Sequence, residues 1–550
     1  MKRRIFKKKP LLPTTPKFQL NQDYKQQIRL QSYLGKKGYT IPKVALDPED
    51  LIQVKEVLLL KPFIPGPQVK ESTPFPVYRE NTAKIYLPRF FGIERYGLPD
   101  RTEIEMGESI DCPFMKELRD YQNNIVNIYL DHVRKPIISE SATQSGLGGG
   151  AILEVPCGRG KTVMALKIIS EIQKKTLILV HKEFLMNQWI ERITEFLPSA
   201  RVGKIQGQIQ DIEGKDIVIG MIQTMYNRDF PAEFFDPFGL TIIDEVHRIG
   251  SEEFSKTLFK TVTPNMLGIS ATVERKDRLT KLLYMFIGPK IYSEDRKDDD
   301  IVQVRGIEFG SQDPEYSIME YDFRGNPKYS TMITKICAFG PRSDFVVRVI
   351  DDLLKENPEN QIMVLAHNRS LLSYLFEAIQ HRIGEQRGSA GFYVGGMKEK
   401  DLKVTEGKRI VLATYAMAAE ALDIKTLSTL VMATPKTDIE QSVGRILREK
   451  HANPIVVDII DTHDLFKNQW RSRKTFYKKC DYRILYTNST KYGGFIKPVH
   501  PDGMEHIDLT KDSNWKVEFE PKKKNIVEVC HKDGVIEKPK CVIEIPEGFE

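Results

Sequence analysis

Two adjacent carboxylates, Asp244 and Glu245, directly follow the apolar run Leu240-Thr241-Ile242-Ile243. A short apolar run that ends in polar residues is typical of a buried parallel strand whose carboxyl end opens into a ligand crevice. Two acids at that point repel each other unless a positive charge lies beside them. A magnesium ion on a nucleotide phosphate would supply that charge, so the pair predicts a phosphate site elsewhere in the chain.

The segment Pro156-Cys157-Gly158-Arg159-Gly160-Lys161-Thr162 is a candidate for that phosphate site. It separates the apolar run Ala151–Val155 from a helix-length stretch that begins at Thr162. A strand, a glycine-containing turn and a helix start direct backbone N–H groups at an anion. Lys161 would then reach the β- and γ-phosphates, and the Thr162 hydroxyl would bind magnesium. The strict P-loop pattern fails at Val155, where that pattern has glycine.

The acids and the loop support one nucleotide site. A glycine turn without a ligand is the alternative for the loop alone, and the acids at the end of another strand weigh against it. Asp244 would hold magnesium, directly or through water, and Glu245 would orient and activate the attacking water. Upstream, Arg119 and Gln122 are further candidates, because a glutamine amide can pair with the donor and acceptor edges of adenine. An ordinary glutamine on a helix surface is the alternative.

A second set of candidates lies in the later part of the chain. Gln441, Arg445 and Arg448 have the spacing of one helix face. An ordinary charged helix face is the alternative, but arginines from a second domain can also stabilise transition-state charge on a γ-phosphate. Thr414, at the end of an apolar run, and the segment Glu420–Asp423 suit contacts to a phosphodiester chain. Their alternative is a plain strand end and helix start.

Two blocks of short apolar runs alternate with helix-length segments, which is typical of βα units and parallel sheets. The first block has runs at Ala151–Val155, Thr176–Val180, Asp216–Ile219, Leu240–Ile243 and Met266–Ile269. The second block has runs at Gln361–Ala366, Arg409–Ala413, Ser428–Ala433 and Pro454–Ile459. Because 550 residues exceed what one core accommodates, we predict an α/β chain with two parallel-sheet domains in tandem.

Composition limits the classes of function. The net charge is +7, and six positive charges lie in residues 2–9, so a nucleic-acid surface on the rest of the chain must be a local basic track. The basic segment is a nuclear address, a nucleic-acid arm or a solvated terminus, and no apolar stretch of a signal peptide follows it. The six cysteines form no CxxC pair, which fits reduced thiols in the cytosol or nucleus. Cys530, His531 and Cys541 lack a fourth metal ligand, and no apolar run is long enough to cross a bilayer.

These segments, in this order, resemble the motifs of superfamily 2 helicases. The matches are Phe114 to Gln122 (adenine-contacting motif), Cys157 to Thr162 (motif I), Val180 to Trp189 (Ia), Gln223 to Met225 (Ib), Asp244 to His247 (II, in its DEVH form), Ser270 to Thr272 (III), Ala366 to Arg369 (IV), Thr414 with Glu420 to Asp423 (V) and Gln441 to Arg448 (VI). Leu267 to Thr272, followed by Phe286 to Lys290, resembles XPB-type DNA helicases. The chain is also similar to helicases of large DNA viruses, including the poxvirus transcript-release type, and Leu87 to Gly92 is similar to a segment of that group. One departure is Arg275-Lys276-Asp277, where the XPB type has Arg-Glu-Asp, so that a lysine replaces the central acid.

The resemblance implies two RecA-like domains, at residues 111–295 and 296–475, which face each other across one ATP with Mg²⁺. An N-terminal accessory region would occupy residues 1–110 and a C-terminal extension residues 476–550. The implied catalytic residues are Lys161, Glu245, Gln441, Arg445 and Arg448. The implied nucleotide contacts are Arg119, Gln122, Pro156, Cys157, Gly158, Arg159, Gly160, Lys161 and Thr162, with Thr162 and Asp244 holding Mg²⁺. The implied coupling residues are His247, Ser270, Thr272 and Asp423, and the implied nucleic-acid contacts are His181, Gln223, Thr224 and Thr414.

The expected activity is that of an ATP-dependent DNA helicase or translocase, with 3′-to-5′ polarity implied by resemblance only. It would serve viral transcription, replication or repair, in the cytoplasm, nucleus, virus factory or virion. The expected partners are DNA, as a single strand or a duplex junction, and an RNA polymerase or transcription complex, with no membrane. The alternatives are a translocase that releases transcripts or remodels complexes without separating strands, and a DEAH-type RNA helicase. A binding module with a dead ATPase site is disfavoured, because the catalytic positions carry chemically competent residues.

Overall fold

A computed structural model describes residues 18–62, 73–134, 137–139, 142–144, 149–156, 158–231, 233–246, 251–274, 279–294, 302–420, 424–447, 451, 453–493, 510 and 514–521. The basic segment at residues 2–9, the triplet Arg275-Lys276-Asp277 and the group Cys530, His531 and Cys541 lie outside these residues. Within the described ranges, no helix is long and apolar enough to cross a membrane.

Residues 18–104 form a small α/β unit that packs on the first large sheet. Its antiparallel sheet has the strand order Tyr33–Gly35, Gly38–Pro42, Lys84–Leu87 and Arg79–Glu80, and a separate ribbon pairs Leu59–Leu60 with Phe75–Pro76. Its helices are Gln22–Gln31, Pro48–Val57 and Arg89–Tyr96, with a 3₁₀ turn at Lys43–Ala45. Leu34 and Tyr39 belong to the same continuous hydrophobic core as Ile152 and Leu177 of the large sheet, so the unit is fixed to that sheet by shared packing.

The first large sheet has eight strands. Their order is Ile209–Gln210, Val202–Gln206, Ile217–Met221, Thr176–Val180, Leu240–Asp244, Asn265–Ser270, Gly150–Glu154 and Lys290–Ser293. Neighbouring strands run parallel except for the first pair. Gly150–Glu154 precedes the phosphate loop (residues 156–162), and Leu240–Asp244 leads into the acid pair Asp244-Glu245. These two strands lie on either side of Asn265–Ser270, so both loops leave the same edge of the sheet.

Helices cover the first sheet, which explains why its central strands are apolar on both faces. These helices are Asp120–Arg134, Lys161–Ile172, Glu183–Phe196, Ile222–Asn227, Ser251–Leu258 and Thr280–Ile287. A short hairpin pairs Ile137–Ser139 with Ala142–Gln144. The strand Thr176–Val180 is buried along its whole length, as the apolar run in the sequence indicates.

The second large sheet also has eight strands. Their order is Ala390–Tyr393, Ile410–Thr414, Gln361–Ala366, Leu427–Met432, Ile455–Asp461, Gln303–Phe309, Arg483–Asn488 and Lys516–Phe519, and only the last strand pairs antiparallel. Its helices are Pro314–Ser317, Tyr329–Ala338, Gly340–Glu356, Arg369–Arg382, Glu385–Gly388, Glu399–Glu406, Tyr415–Glu420, Glu440–Val443 and Asp464–Lys479, with a 3₁₀ turn at Gly444–Leu447.

The predicted fold class, two α/β parallel-sheet domains in tandem, is confirmed by these two sheets. Each predicted apolar run becomes a strand. Thr176–Val180 and Gln361–Ala366 have the predicted bounds, and the ends of the other strands are shifted by one or two residues. The second sheet continues beyond residue 475, because Arg483–Asn488 pairs in parallel with Gln303–Phe309. The domain boundaries themselves stay predictions.

Candidate nucleotide site and nucleic-acid face

The phosphate loop owes its shape to two glycines. Gly158 and Gly160 have φ angles of 83° and 82°, in the left-handed region that other residues rarely adopt. The twelve-residue helix Lys161–Ile172 follows directly, and no side chain caps its first turn. Its first amide groups and the positive end of its dipole therefore point into the loop, which is the arrangement that binds a phosphate group.

The acid pair lies beside this loop, as the sequence predicted. The Lys161 Nζ atom is 3.9 Å from the Glu245 Oε1 atom and 3.3 Å from the carbonyl oxygen of Val155. Asp244 is only 7 % exposed. Burial, and next the charge of Glu245, raise the pKa of Asp244 to about 6. The structure thus places a lysine and two carboxylates beside the phosphate loop, and one of them, Asp244, has a raised pKa.

Trp189 contacts the acid pair from the helix Glu183–Phe196. Its indole Nε1–H donates a 2.9 Å hydrogen bond to the Asp244 Oδ2 atom, and the ring is 1 % exposed. This bond favours the ionised carboxylate and partly opposes the burial that raises its pKa. Sequence reasoning assigned Trp189 no role of its own. One feature of the sequence could have indicated this contact. Trp189 places an indole donor on the apolar face of the helix that follows Thr176–Val180, and this strand pairs with Leu240–Asp244, the strand that ends in the acids.

Gln122 supports the phosphate loop in this structure. Its amide donates to the carbonyl oxygen of Arg159 at 3.0 Å and accepts from the backbone amide of Arg119 at 3.0 Å. A Cβ atom on Gly160 would lie 2.4 Å from the Gln122 Nε2 atom, so the glycine also makes room for this contact. The Arg159 guanidinium lies 4.2 Å from the ring centre of Tyr121. The predicted adenine contact of Arg119 and Gln122 stays a prediction.

The second domain approaches the phosphate loop closely. A Cβ atom on Gly158 would lie 3.2 Å from the carbonyl oxygen of Leu447 and 3.8 Å from that of Gly444. The turn Gly444–Leu447 carries Arg445, which is half-buried, as is Gln441 in the preceding helix. The predicted single helix face is wrong in detail, because the α-helix ends at Val443 and tightens into a 3₁₀ turn.

Two further contacts join the domains. Phe184 packs against the core of the first sheet and also against that of the second. The Lys403 Nζ atom lies 3.2 Å from the Glu191 Oε1 atom, and both side chains are exposed. Exposed pairs contribute little to stability, so the shared phenylalanine is the more substantial contact.

Motif III is tied to the strand that leads into the phosphate loop. The carbonyl oxygen of Ser270 accepts from the Val155 amide at 2.9 Å, and its hydroxyl donates to the carbonyl oxygen of Thr272 at 2.6 Å. Glu154, which sequence reasoning missed, accepts from the Val273 amide at 2.6 Å and pairs with Lys290 at 2.7 Å. Burial opposes ionisation of Glu154, but its hydrogen bonds outweigh that effect and its pKa lies below the ordinary value.

The predicted nucleic-acid contacts lie at carboxyl ends of strands. Gln223 donates to the carbonyl oxygen of His181 at 3.0 Å, which links motif Ib to motif Ia. The Thr224 hydroxyl accepts from the Gly207 amide at 3.0 Å and is nearly buried, so it supports the loop in this structure. Thr414 ends its strand in the second sheet and is half-buried.

Thr434, which sequence reasoning also missed, connects motifs IV and V. Its hydroxyl lies 2.8 Å from the His367 Nδ1 atom, and its carbonyl oxygen accepts from the Tyr415 hydroxyl at 2.5 Å. Burial, and then the charge of Lys436, lower the pKa of His367 to about 4, so its ring is neutral at physiological pH. Four of the predicted site residues, Cys157, His247, Asp423 and Arg448, lie outside the described residues.

Comparisons with known proteins give the class of the chain. The family model "Type III restriction enzyme, res subunit" matches residues 115–275. A protein of Acanthamoeba polyphaga mimivirus named "Putative ATP-dependent RNA helicase" is 33 % identical over 81 % of this chain and 85 % of its own length. The "DNA 3'-5' translocase XPB2" of Sulfurisphaera tokodaii is 23 % identical over 68 % of this chain and 89 % of its own length. The solved structure of T4 UvsW covers 80 % of this chain and 96 % of that chain, at 16 % identity and a TM-score of 0.31.

The chain therefore belongs to the superfamily 2 helicases, as its motifs predicted. It is an ATP-dependent helicase or translocase, and thus an ATP-hydrolysing enzyme. Its relatives include a mimivirus protein and a protein named XPB2, which confirms the predicted likeness to viral and XPB-type helicases.

Proposed function

We propose that this chain hydrolyses ATP between its two parallel-sheet domains and thereby moves along DNA in the 3′-to-5′ direction. The observation that carries the proposal is the approach of Gly444–Leu447 to Gly158 at the phosphate loop. Residues of the second domain are thereby adjacent to the nucleotide site of the first, which is what coupling between hydrolysis and domain motion requires. The likeness to a protein named a DNA 3'-5' translocase supports DNA and this polarity.

The phosphate loop would hold the triphosphate. The amides of the loop and of the first turn after Gly160 bind the phosphate oxygens, and Lys161 reaches from the same turn to the β- and γ-phosphates. In this structure the Lys161 ammonium rests near Glu245 and the Val155 carbonyl oxygen. Pro156 and Arg159 shape the loop, since the Arg159 amide bonds to the Pro156 carbonyl oxygen at 3.4 Å.

The acid pair fits a magnesium ion bound with the nucleotide. Asp244 and Glu245 repel each other, and nearby positive charge would relieve the repulsion that helps to raise the pKa of Asp244. In the described part of the chain, no three His, Cys, Asp or Glu side chains gather into a metal site. Magnesium commonly binds through one or two carboxylates and substrate phosphates, so Asp244 and the Thr162 hydroxyl suffice. When bound, the ion would neutralise charge on the phosphates.

Glu245 and the second domain would complete the reaction centre. Glu245 orients the attacking water and takes up its proton, while Arg445 and Arg448 stabilise the negative charge that develops on the γ-phosphate. Gln441, four residues before Arg445, would contribute to the same reaction centre. These arginines reach their positions only when the cleft closes, so hydrolysis depends on domain motion.

A nucleic-acid strand would run across the carboxyl edges of both sheets. His181, Gln223, Thr224 and Thr414 would contact its backbone, because main-chain and hydroxyl groups at strand ends suit phosphate contacts. Ser270 and Thr272 would connect this face to the phosphate loop through the Val155 amide, together with His247 and Asp423. Residues 111–295 and 296–475 would be the two motor domains, with residues 1–110 and 476–550 as accessory segments.

ATPase measurements on two variants test these roles. Lys161→Ala should abolish ATP hydrolysis. Glu245→Gln should bind ATP but hydrolyse it at least a hundredfold more slowly than the wild type. Lys167→Ala and Glu171→Gln are matched controls, since this pair lies on the outer side of the same helix at 2.8 Å. DNA-stimulated turnover retained in full by either test variant would contradict the assignment.

An RNA helicase is the second candidate function, because the mimivirus relative is named for RNA. Stimulation of the ATPase by single-stranded DNA, duplex DNA and single-stranded RNA separates the two. Unwinding and translocation use the same motor, so a strand-displacement assay must be run beside an assay of protein displacement or transcript release. Displacement of a stalled RNA polymerase without strand separation would favour a transcription complex as the partner.

A further inference from the structure

The small sheet of residues 33–87 has two unlike faces. Cross-strand pairing places Tyr33 opposite Thr40, and Thr40 opposite Tyr86. Because side chains alternate along a strand, the two tyrosines therefore lie on one face of the sheet. The neighbouring residues Leu34 and Ile85 point to the other face, where both are 0 % exposed in the shared core. The face that carries the tyrosines is thus the outer one, where both rings are half-buried and Tyr86 also packs against the edge of the shared core.

Three cations lie over these two rings. The Lys84 Nζ atom and the Arg101 Cζ atom are 5.1 Å and 4.8 Å from the ring centre of Tyr33, and the Lys37 Nζ atom is 5.3 Å from that of Tyr86. Lys84 also donates to the Tyr33 hydroxyl at 3.0 Å. We call these five residues the tyrosine face.

The charge of the tyrosine face is positive. Glu103 pairs with Arg101 and offsets one of its three cations. Thr40, between the two tyrosines, is 1 % exposed and forms the floor of the row. Since neighbouring strands lie about 4.8 Å apart, rings on the first and third strands stand roughly 10 Å apart.

We infer that the tyrosine face binds single-stranded nucleic acid, with bases stacked on Tyr33 and Tyr86 and phosphates held by Lys37, Lys84 and Arg101. The inference rests on the proposed function, that the motor moves on nucleic acid. Aromatic rings set among cations are the combination that holds a single strand with little sequence preference. Lys37 and Arg101 are exposed, so they can leave the rings for phosphates as bases take their place.

A single strand fits this face better than a duplex does. Bases in a duplex are stacked inside and cannot reach the two rings, whereas an unpaired strand can splay its bases onto them. An acidic protein partner would use the cations but would leave the rings without a function. Tyrosine substitutions therefore distinguish these partners.

The tyrosine face is fixed to the motor. Arg89, in the helix after Lys84–Leu87, donates from one guanidinium nitrogen to the carbonyl oxygens of Thr263 and Pro264 at 3.0 and 2.8 Å. Those residues immediately precede Asn265–Ser270, the strand that ends in motif III. Lys36 adds an ion pair to Asp236 of the first domain at 2.5 Å. A strand held on the tyrosine face is thereby anchored to the first motor domain.

Binding of fluorescein-labelled oligonucleotides to the full chain tests the inference. In the double variant Tyr33→Ala/Tyr86→Ala, the dissociation constant for a mixed-sequence single strand should rise at least tenfold, because the stacking of a base on each ring is lost. ATPase activity without nucleic acid should stay unchanged, and the Michaelis constant for single-strand stimulation should rise. Tyr33→Phe/Tyr86→Phe keeps the rings and should bind within about twofold of the wild type.

Lys37→Gln/Lys84→Gln provides an independent test if the alanine variant does not fold. Each lost phosphate contact should lower the salt dependence of single-strand binding by about one unit in the log–log slope. Lys55→Gln is the matched control, because this lysine lies 5.8 Å from the Tyr78 ring but pairs with Glu80.

Unchanged single-strand affinity in either variant, beside normal stimulation of the ATPase, would overturn the inference and leave the proposed function intact. An equal loss of duplex and single-strand binding on tyrosine substitution would also overturn it. Failure of every nucleic acid to stimulate the wild-type ATPase would instead refute the proposed function.

Discussion

Trp189→Phe should weaken the use of magnesium by the enzyme without removing any proposed ligand of the ion. In the wild type the indole N–H donates to the Asp244 Oδ2 atom at 2.9 Å, and both groups are almost inaccessible to water. Phenylalanine keeps an aromatic ring in the core and removes the donor. The carboxylate then loses the bond that holds its Oδ2 atom in place.

The size of the effect follows from that single bond. A hydrogen bond to a charged acceptor contributes about 1.5–3 kcal/mol, which corresponds to a factor of roughly 10 to 150 in affinity. Loss of a group that orients a metal ligand commonly weakens metal binding by about 10- to 100-fold. The free magnesium concentration that gives half-maximal ATPase activity should therefore rise by about one to two orders of magnitude. Because burial and Glu245 already raise the pKa of Asp244, loss of the opposing bond should also move the acid limb of the pH–rate profile upward.

The assay is a magnesium titration of single-strand-stimulated ATPase activity at fixed ATP, with binding of a fluorescent ATP analogue measured in parallel. Trp470→Phe is the matched control, since this indole is buried in the second domain, away from the acid pair. A purely structural loss would lower the melting temperature and the maximal rate alike while leaving the magnesium midpoint in place. An unchanged midpoint in Trp189→Phe would refute the positioning role.

Three further changes have expected outcomes. Gly160→Ala should abolish binding of a fluorescent ATP analogue, because φ is 82° and the added methyl group would lie 2.4 Å from the Gln122 amide nitrogen. Acidification should raise the Michaelis constant for Mg-ATP about tenfold per pH unit below pH 6, because a carboxyl whose pKa is about 6 must lose its proton to bind the ion. Arg342→Met should destabilise the chain by about 3–5 kcal/mol in urea unfolding, because it strands Asp461, a fully buried carboxylate bound by the Arg342 guanidinium at 2.9 Å.

Each of these outcomes has a contrary result. Wild-type analogue affinity in Gly160→Ala would mean that the loop binds nucleotide in another conformation. A flat Michaelis constant between pH 5 and 7 would mean that Asp244 does not bind the ion. Without magnesium, the raised pKa of Asp244 means that the folded chain binds the carboxyl proton more tightly than the unfolded chain does. Its contribution to the free energy of unfolding is therefore complete below the pKa of the unfolded chain and is lost as pH rises through about 6. Arg342→Met combined with Asp461→Leu should recover much of the lost stability, and no recovery would place the loss elsewhere.

The sequence by itself determined the fold class, and it predicted the residues of the proposed nucleotide site. Strands that helices cover on both faces must be apolar along their whole length, so runs such as Gln361–Ala366 are visible without any structure. Local requirements of backbone shape and charge explain the glycines before one helix, Lys161 at its start, and the acids after Leu240–Ile243. Such requirements act within a few residues of the chain.

Strands with polar residues inside them were missed. Gln303–Phe309 contains Arg305, which is buried only because Glu356 pairs with it from a distant helix at 2.6 Å. Arg483–Asn488 is recognisable as a strand only beside Gln303–Phe309, its partner in the sheet. No local pattern indicates such strands, since the partner that makes burial of the polar groups acceptable lies far away in sequence.

Only the tertiary structure decided which groups meet. Trp189 reaches Asp244 because the strands Thr176–Val180 and Leu240–Asp244 are neighbours in the sheet. The turn Gly444–Leu447 approaches the phosphate loop across two domains, and the tyrosine face forms when two strands some fifty residues apart flank a third. The type of each residue determines what chemistry it can perform. The distances between these residues depend on packing over the whole chain, which their spacing along the sequence does not encode.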